Sequence, residues 1–188
     1  MSGSNSSKYS GLKLILTAII ATGLAACASG PAVYPINGEA APTINRDTSG
    51  KSLSVVVRLY QLKERTDFDR LTFDTATSGK TDQDLFGASL VSMKEVVLVP
   101  GGKQQIVEKL EPDTKFVGIV GYFRKPDPQA WRYLIDAKDA RKQGLAFRVE
   151  DCYLEITSPT PQAIPGQVLG AKPVCSGPII NKPAAGKR

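Results

Sequence analysis

The sequence predicts an all-β fold, a β-sandwich of about seven to eight strands with short helices inserted between the first two strands. Several segments alternate apolar and polar side chains with a period of two, beginning with Leu53 to Leu59, and this pattern indicates strands with one buried face. Turn sequences such as Pro100-Gly101-Gly102 separate these segments. The run from Phe116 to Phe123 is apolar on both faces, as is typical of a central strand. Short strands at this spacing favour two packed sheets.

The other elements follow in chain order. Further strands are predicted at residues 95–99, 104–110, 131–136, 145–150 and 152–157. The connection from Lys63 to Ser92 is far longer than a hairpin loop. Within it, Asp67 is expected to cap a helix that carries Phe68 and Leu71, and residues 83–91 are expected to form a second short helix.

The N-terminus carries the pattern of a bacterial lipoprotein signal. Lys8 and Lys13 precede an apolar stretch that is too short to span a bilayer. The stretch ends in Leu24-Ala25-Ala26-Cys27, which matches a lipobox. We expect cleavage after Ala26 and attachment of a diacylglycerol and an N-acyl chain at Cys27; the alternative is an ordinary secretory signal with an incidental cysteine. Ala28-Ser29 rather than aspartate follows Cys27, which points to the outer membrane.

These patterns divide the chain into four parts. Residues 1–26 are the predicted signal peptide, and residues 27–50 are the lipidated cysteine with a flexible tether, rich in Pro, Ala, Gly, Asn and Ser. Fully extended, such a tether would reach about 70 Å. Residues 51–158 are the predicted sandwich, and residues 159–188 form a proline-rich tail.

Composition argues against several classes of function. The net charge is +6, but the basic residues are scattered, so no nucleic-acid footprint is expected. The chain contains no histidine, which excludes Ser-His-Asp and Cys-His triads and histidine-ligated metals. The paired acids Asp67 with Asp69, and Asp82 with Asp84, are interpreted as helix caps and loop residues. We therefore expect no catalytic residue, no metal site and no enzyme.

Two cysteines remain after lipidation of Cys27, namely Cys152 and Cys175. Exported proteins lie in a compartment that oxidises thiols, so these two are expected to form a disulfide. Such a bond would add roughly 3 kcal/mol in the chain-entropy model. The alternative is two reduced thiols.

Several blocks of the chain together resemble a known family. They are Val57-Arg58-Leu59-Tyr60-Gln61-Leu62-Lys63, Phe68 with Leu71-Thr72-Phe73, Glu95 to Gly101, Leu110 to Val120, Phe123-Arg124 and Trp131-Arg132. In this order, behind a lipobox, they are similar to the TssJ family (SciN/VasD-like), the outer-membrane lipoproteins of the type VI secretion system. The resemblance covers about residues 52–149.

The resemblance implies a transthyretin-like sandwich on the periplasmic face of the outer membrane. It also implies a partner, the periplasmic domain of the inner-membrane protein TssM, and through it TssL. The family's partner-binding loop maps onto the polar tip of the long connection, Ser78, Gly79, Lys80, Thr81, Asp82, Gln83 and Asp84. These side chains are small or polar, so the core is not expected to need them. The alternative function is a periplasm-facing carrier, which would need a pocket with convergent polar groups.

Overall fold

The computed structural model describes residues 32–175. The predicted signal peptide, the lipidated Cys27, the first residues of the predicted tether and the end of the tail lie outside the described residues. Within 32–175, two four-stranded sheets enclose one hydrophobic core, so the predicted all-β sandwich is confirmed with eight strands. No helix in this part of the chain has the length and hydropathy needed to cross a bilayer.

The first sheet has the strand order β4-β1-β7-β8. Its strands are β1 (Val33–Ala40), β4 (Lys103–Lys109), β7 (Leu145–Val149) and β8 (Leu154–Ser158). β1 pairs antiparallel with β4 and parallel with β7, so a strand that sequence analysis missed lies at the centre of this sheet.

The tether prediction for residues 27–50 is therefore wrong from Val33 onward. Pro35 and Gly38 disfavour strands, yet both fit this one. Pairing with β7 starts only at Ile36, so Pro35 has a partner strand on one side only. A proline, which lacks an N–H, is tolerated at such an edge position. Gly38 lies beneath the ring of Phe147, and a Cβ at position 38 would be 2.8 Å from that ring. Packing of the core thus explains the glycine.

The second sheet has the strand order β3-β2-β5-β6. Its strands are β2 (Val55–Leu62), β3 (Leu90–Leu98), β5 (Phe116–Tyr122) and β6 (Arg132–Asp136). All pairs in this sheet are antiparallel. β5 is buried along most of its length, as the two-sided apolar pattern predicts.

Three short helices lie between β2 and β3. They are α1 (Thr66–Arg70), α2 (Phe73–Ala76) and α3 (Asp82–Phe86), and a single 3-10 turn at Gly87–Ser89 follows. Asp67 lies in the first turn of α1 and does not cap it, because the cap position is Arg65, which makes no side-chain bond there. The helix predicted at 83–91 ends at Phe86, and Leu90 already begins β3.

A fourth helix, α4 (Ala137–Gln143), was not predicted. The Asp136 side chain caps its first turn by accepting the Lys138 N–H, and Gly144 ends the helix with φ of 74°. Asp before and Gly after a helix are the usual end signals, so the sequence did contain the information. Ala137 and Ala140 face the protein.

The described part of the tail, residues 159–175, contacts the edge of β6. The Gln162 N–H donates to the Leu134 carbonyl at 2.7 Å, and Ile164 is buried. The predicted disulfide between Cys152 and Cys175 is confirmed. The tail therefore covers a strand edge that would otherwise be open.

The sandwich has two distinguishable ends. The proximal end holds the first residue of β1, Val33, its partner Lys109 at the end of β4, and α4. The distal end holds the turn at 99–102 between β3 and β4, and the disulfide. β2 runs from the distal end to the proximal end, because Val55 pairs with Leu98 and the Gln61 side chain donates to the Lys109 carbonyl.

Candidate partner-binding surface

Two aromatic rings hold the helical insert against the outer face of the second sheet. Phe68 of α1 and Phe86 of α3 are fully buried, with ring centroids 6.2 Å apart. Phe86 also packs on the Tyr60 ring of β2 at 4.7 Å. Gly118 of β5 lies directly under Phe68, where any side chain would collide with the ring. The glycine in the middle of a central strand thus makes room for the insert.

Asp82, the first residue of α3, is bonded to the sheet below it. Its Oδ1 accepts the Tyr60 hydroxyl at 2.8 Å and the Arg58 Nη1 at 3.2 Å, and its side chain is 17% exposed. The Tyr60 and Tyr122 hydroxyls are 3.0 Å apart. Burial raises the pKa of Tyr60, so its hydroxyl stays protonated and can donate. Asp82 therefore attaches α3 to β2.

Thr81 and Asp84 form a capping box at the start of α3. The Thr81 hydroxyl oxygen accepts the Asp84 N–H at 3.1 Å, and Asp84 Oδ2 accepts the Thr81 N–H at 3.1 Å. The hydrogen bond from the Thr81 side chain lowers the pKa of Asp84. The core was not expected to need residues 78–84, but Thr81, Asp82 and Asp84 support the start of α3.

The other residues of the predicted site form an exposed apex. Ser78, Gly79, Lys80 and Gln83 are all exposed. Gly79 adopts φ of 82° with open space around it, a conformation that favours glycine. Thr81 and Asp84 support α3 but are exposed as well, so only Asp82 of the predicted site is largely shielded from solvent.

An apolar strip that sequence analysis missed borders this apex. Val97 of β3 is 46% exposed and pairs with the half-buried Val56 of β2, which in turn pairs with Tyr122 of β5. These three side chains lie on the same outer face as Arg58, which contacts Asp82 and Glu95. The period-two alternation of β3 could have indicated that Val97 is exposed, because its neighbours Val96 and Leu98 are buried and Val97 is not.

We call the apex and the strip together the sheet-and-tip surface. Its residues are Val56, Ser78, Gly79, Lys80, Gln83, Val97 and Tyr122. The ion pairs of Arg58 with Asp82 and with Glu95 lie between its two parts. An apolar centre beside polar and charged groups is the usual anatomy of a protein–protein contact.

A cleft lies elsewhere, at the distal end. It encloses about 540 Å³ and is lined by Asn45, Arg46, Arg124, Asp151 and the disulfide. Several of its polar groups are bonded within the protein. Arg46 pairs with Asp151, and the Asn45 side chain bonds the Ser54 carbonyl and the Arg124 N–H. In residues 32–175, no cluster of three or more His, Cys, Asp or Glu side chains could hold a metal ion.

Solved structures place this fold in a defined class. TssJ1, a type VI secretion lipoprotein from Pseudomonas aeruginosa, is 28% identical with a TM-score of 0.61, covering 72% of this chain and 100% of that chain. A chain of a structure titled "Type VI membrane complex" is 27% identical with a TM-score of 0.60, covering 68% and 98%. The fold is thus the transthyretin-like sandwich of these neighbours. Among curated proteins, none matches this chain.

The family follows from the sequence match. The model for the type VI secretion lipoproteins (SciN; VasD, EvfM, TssJ) matches residues 33–152, so the chain belongs to this family. A further similar chain, 27% identical with a TM-score of 0.57 over 66% of this chain and 96% of that chain, comes from a structure titled as the TssM C-terminal domain (869–1107) from EAEC. The protein is accordingly an envelope-associated lipoprotein of type VI secretion.

Proposed function

We propose that this lipoprotein anchors the trans-envelope core of the secretion machine to the outer membrane. In this role it binds the periplasmic domain of TssM, and through it TssL, while acyl chains on Cys27 hold it at the periplasmic face. The observation that carries the proposal is the sheet-and-tip surface, in which the exposed Val97 and the half-buried Val56 and Tyr122 lie on the same face as an exposed polar apex.

The position of this surface suits a protein that links a membrane to a partner. The chain reaches the sandwich from Cys27 at Val33, on the proximal end. The strip lies toward the distal end, because Val56 is next to the first residue of β2 and Tyr122 is the last residue of β5. A strand of this length spans about 25 Å. A partner on the strip would therefore not compete with the membrane for the same surface.

The carrier alternative has less support. A ligand site needs a concave pocket with polar groups that converge on the ligand. The distal cleft is open, and Arg46, Asp151 and Asn45 already satisfy one another or the backbone. An apolar strip on a sheet face, with Val97 exposed at its edge, favours a macromolecular partner instead.

Binding to TssM tests the partner role. With the detergent-solubilised lipoprotein and the TssM periplasmic domain, Val97→Asp and Lys80→Glu should each weaken affinity about tenfold or more, roughly 1.4 kcal/mol. The matched control is Val107→Asp, because Val107 is also an exposed valine but lies in β4 of the other sheet. Calorimetry measures all three. Unchanged affinity for both test variants would move the contact to the turns at Pro100-Gly101 or Lys125-Pro126.

Lipidation is tested separately. Cys27→Ser should abolish incorporation of an alkyne fatty acid, because the lipobox thiol is the predicted acceptor. The variant should also no longer float with outer membranes, and secretion should stop because the complex loses its outer anchor. Label retained by the variant would refute lipidation at Cys27.

A further inference from the structure

The link between the predicted lipid and the sandwich is very short. Because β1 begins at Val33, only residues 28–32 separate it from Cys27, and five residues span at most about 20 Å. This step rests on the lipidation included in the proposed function. An acylated chain would thus hold the proximal end of the sandwich close to the headgroups, so the chemistry of that end matters.

We propose that the proximal part of the first sheet, with α4, is a lipid-facing surface that rests on phospholipid headgroups. It consists of Val33, Pro35, Val107, Lys109, Arg141 and Lys142. Its occupant is the membrane to which Cys27 is attached, and it is a different area from the sheet-and-tip surface.

Apolar side chains form the centre of this surface. Val33 is 53% exposed and Val107 is 68% exposed, and Pro35, which pairs with Val107, is exposed as well. The alternate residues of β1, Tyr34 and Ile36, point into the core, so the other three side chains point out of the sheet on one face. Large apolar groups at such a position can enter the boundary between headgroups and acyl chains.

Basic side chains border the apolar centre. α4 presents Lys138, Arg141 and Lys142 to solvent with only one acid, Asp139, and its last turn is basic. The helix ends at Gly144, which packs against Pro35, so the basic helix adjoins the apolar centre. Lys109 pairs in register with Val33 but also forms an ion pair with Glu111 at 3.2 Å, so its charge is partly neutralised.

Because the link is short, even a surface that binds lipid weakly is sufficient to orient the sandwich on the membrane. Attachment at Cys27 turns contact with lipid into an intramolecular event, for which the effective concentration is high. Exposed apolar area and attraction of Lys and Arg to anionic headgroups then favour one orientation. In that orientation the outer face of the second sheet points away from the lipid and remains open to a partner.

A single fluorescent label can test this orientation in the full lipidated chain. Cys27 is acylated in that chain and the other two cysteines form the disulfide, so an introduced cysteine is the one reactive thiol. The test position is Val107→Cys, and the matched control is Val97→Cys on the opposite outer face. Each protein is labelled with bimane at the introduced cysteine and reconstituted into vesicles of phosphatidylethanolamine with a minor share of phosphatidylglycerol. Lipids that carry a doxyl group near the headgroup are the quenchers.

Quenching should be about threefold stronger at position 107 than at 97. Equal quenching, or stronger quenching at 97, would overturn the proposal. The double substitution Arg141→Glu/Lys142→Glu reverses the charge of α4 and should lower quenching at position 107 toward the value at position 97. Charge reversal at Arg124 and Lys125, an exposed basic pair at the distal end, is the control and should leave quenching at position 107 unchanged. No effect of the α4 reversal would also overturn it. Failure of the unlabelled chain to float with vesicles would instead refute lipidation, and this surface with it.

Discussion

The bond between Asp82 and Tyr60 gives the sharpest stability prediction, because it attaches the helical insert to the sheet. Asp82→Ala removes a carboxylate that accepts the Tyr60 hydroxyl at 2.8 Å and pairs with Arg58 at 3.2 Å. A hydrogen bond to a charged group contributes about 1.5–3 kcal/mol, and a partly exposed ion pair adds less than about 1 kcal/mol. Tyr60 keeps its contact with Tyr122, which avoids an orphaned hydroxyl. The expected loss is therefore about 2 kcal/mol.

Thermal unfolding followed by circular dichroism measures this loss. For a domain of this size, about 2 kcal/mol corresponds to a fall in Tm of about 4–8 °C. A double-mutant cycle with Tyr60→Phe should give a coupling energy of about 1 kcal/mol, because the two side chains are in direct contact. Asp74→Ala is the control, since Asp74 is an exposed acid of the same insert, and it should change stability by less than about 0.5 kcal/mol.

Two results would refute the reasoning. A loss for Asp82→Ala no larger than that of the Asp74 control would mean that Phe68 and Phe86 alone hold the insert. A full loss without coupling to Tyr60 would mean that Asp82 acts through Arg58 or through the first turn of α3. In either case the apex would be less firmly positioned by β2 than the geometry indicates.

Three further predictions follow from contacts of the insert and the tail. Gly118→Ala should destabilise the fold by about 1–3 kcal/mol by displacing Phe68; denaturant titration measures this, and a neutral result would contradict the close packing. Thr81→Val should raise the pKa of Asp84 toward its ordinary value in a carboxyl NMR titration. In the wild type, the stabilisation linked to Asp84 is present above the unfolded-state pKa and is lost as pH falls through its lowered folded-state pKa; an unshifted titration would contradict the capping box. Cys175→Ser should speed amide exchange in residues 159–175 far more than in β2, and uniform acceleration would mean that the disulfide supports the whole sandwich.

Most strands could be predicted because the order of apolar and polar residues in each sequence follows which of its side chains are buried. β2, β5, β6 and β7 alternate or are wholly apolar, and the structure forms strands there. β1 could not be found this way, because Pro35 and Gly38 have low strand propensity and fit only in a particular tertiary setting. That setting consists of the late start of the β7 pairing and the ring of Phe147. The sequence around β1 reveals neither the start of this pairing nor the position of this ring.

The candidate site was predicted from its loop length and from family resemblance, but its internal organisation was not predicted. Because residues 78–84 are small or polar, the core was not expected to need them. The structure separates Asp82, which bonds a buried tyrosine, from Lys80, which is exposed. The difference depends on what α3 packs against, a long-range contact that residue type alone does not reveal. Val97 was missed for the same reason, since only the fold shows which face of β3 the insert leaves open.

The central position of β1 also has a mechanical consequence. In an anchored chain, a pull between the outer membrane and the secretion core would enter the protein at Val33 and run along β1. This strand is bonded on one side to β4 and on the other to β7. Hydrogen bonds between antiparallel strands lie across the strand axis, so such a load would act on many of them together, in shear, and would not peel them one by one. A terminal edge strand or a long flexible tether would transmit force far less firmly, which gives a structural reason for the linker to end where the sheet begins.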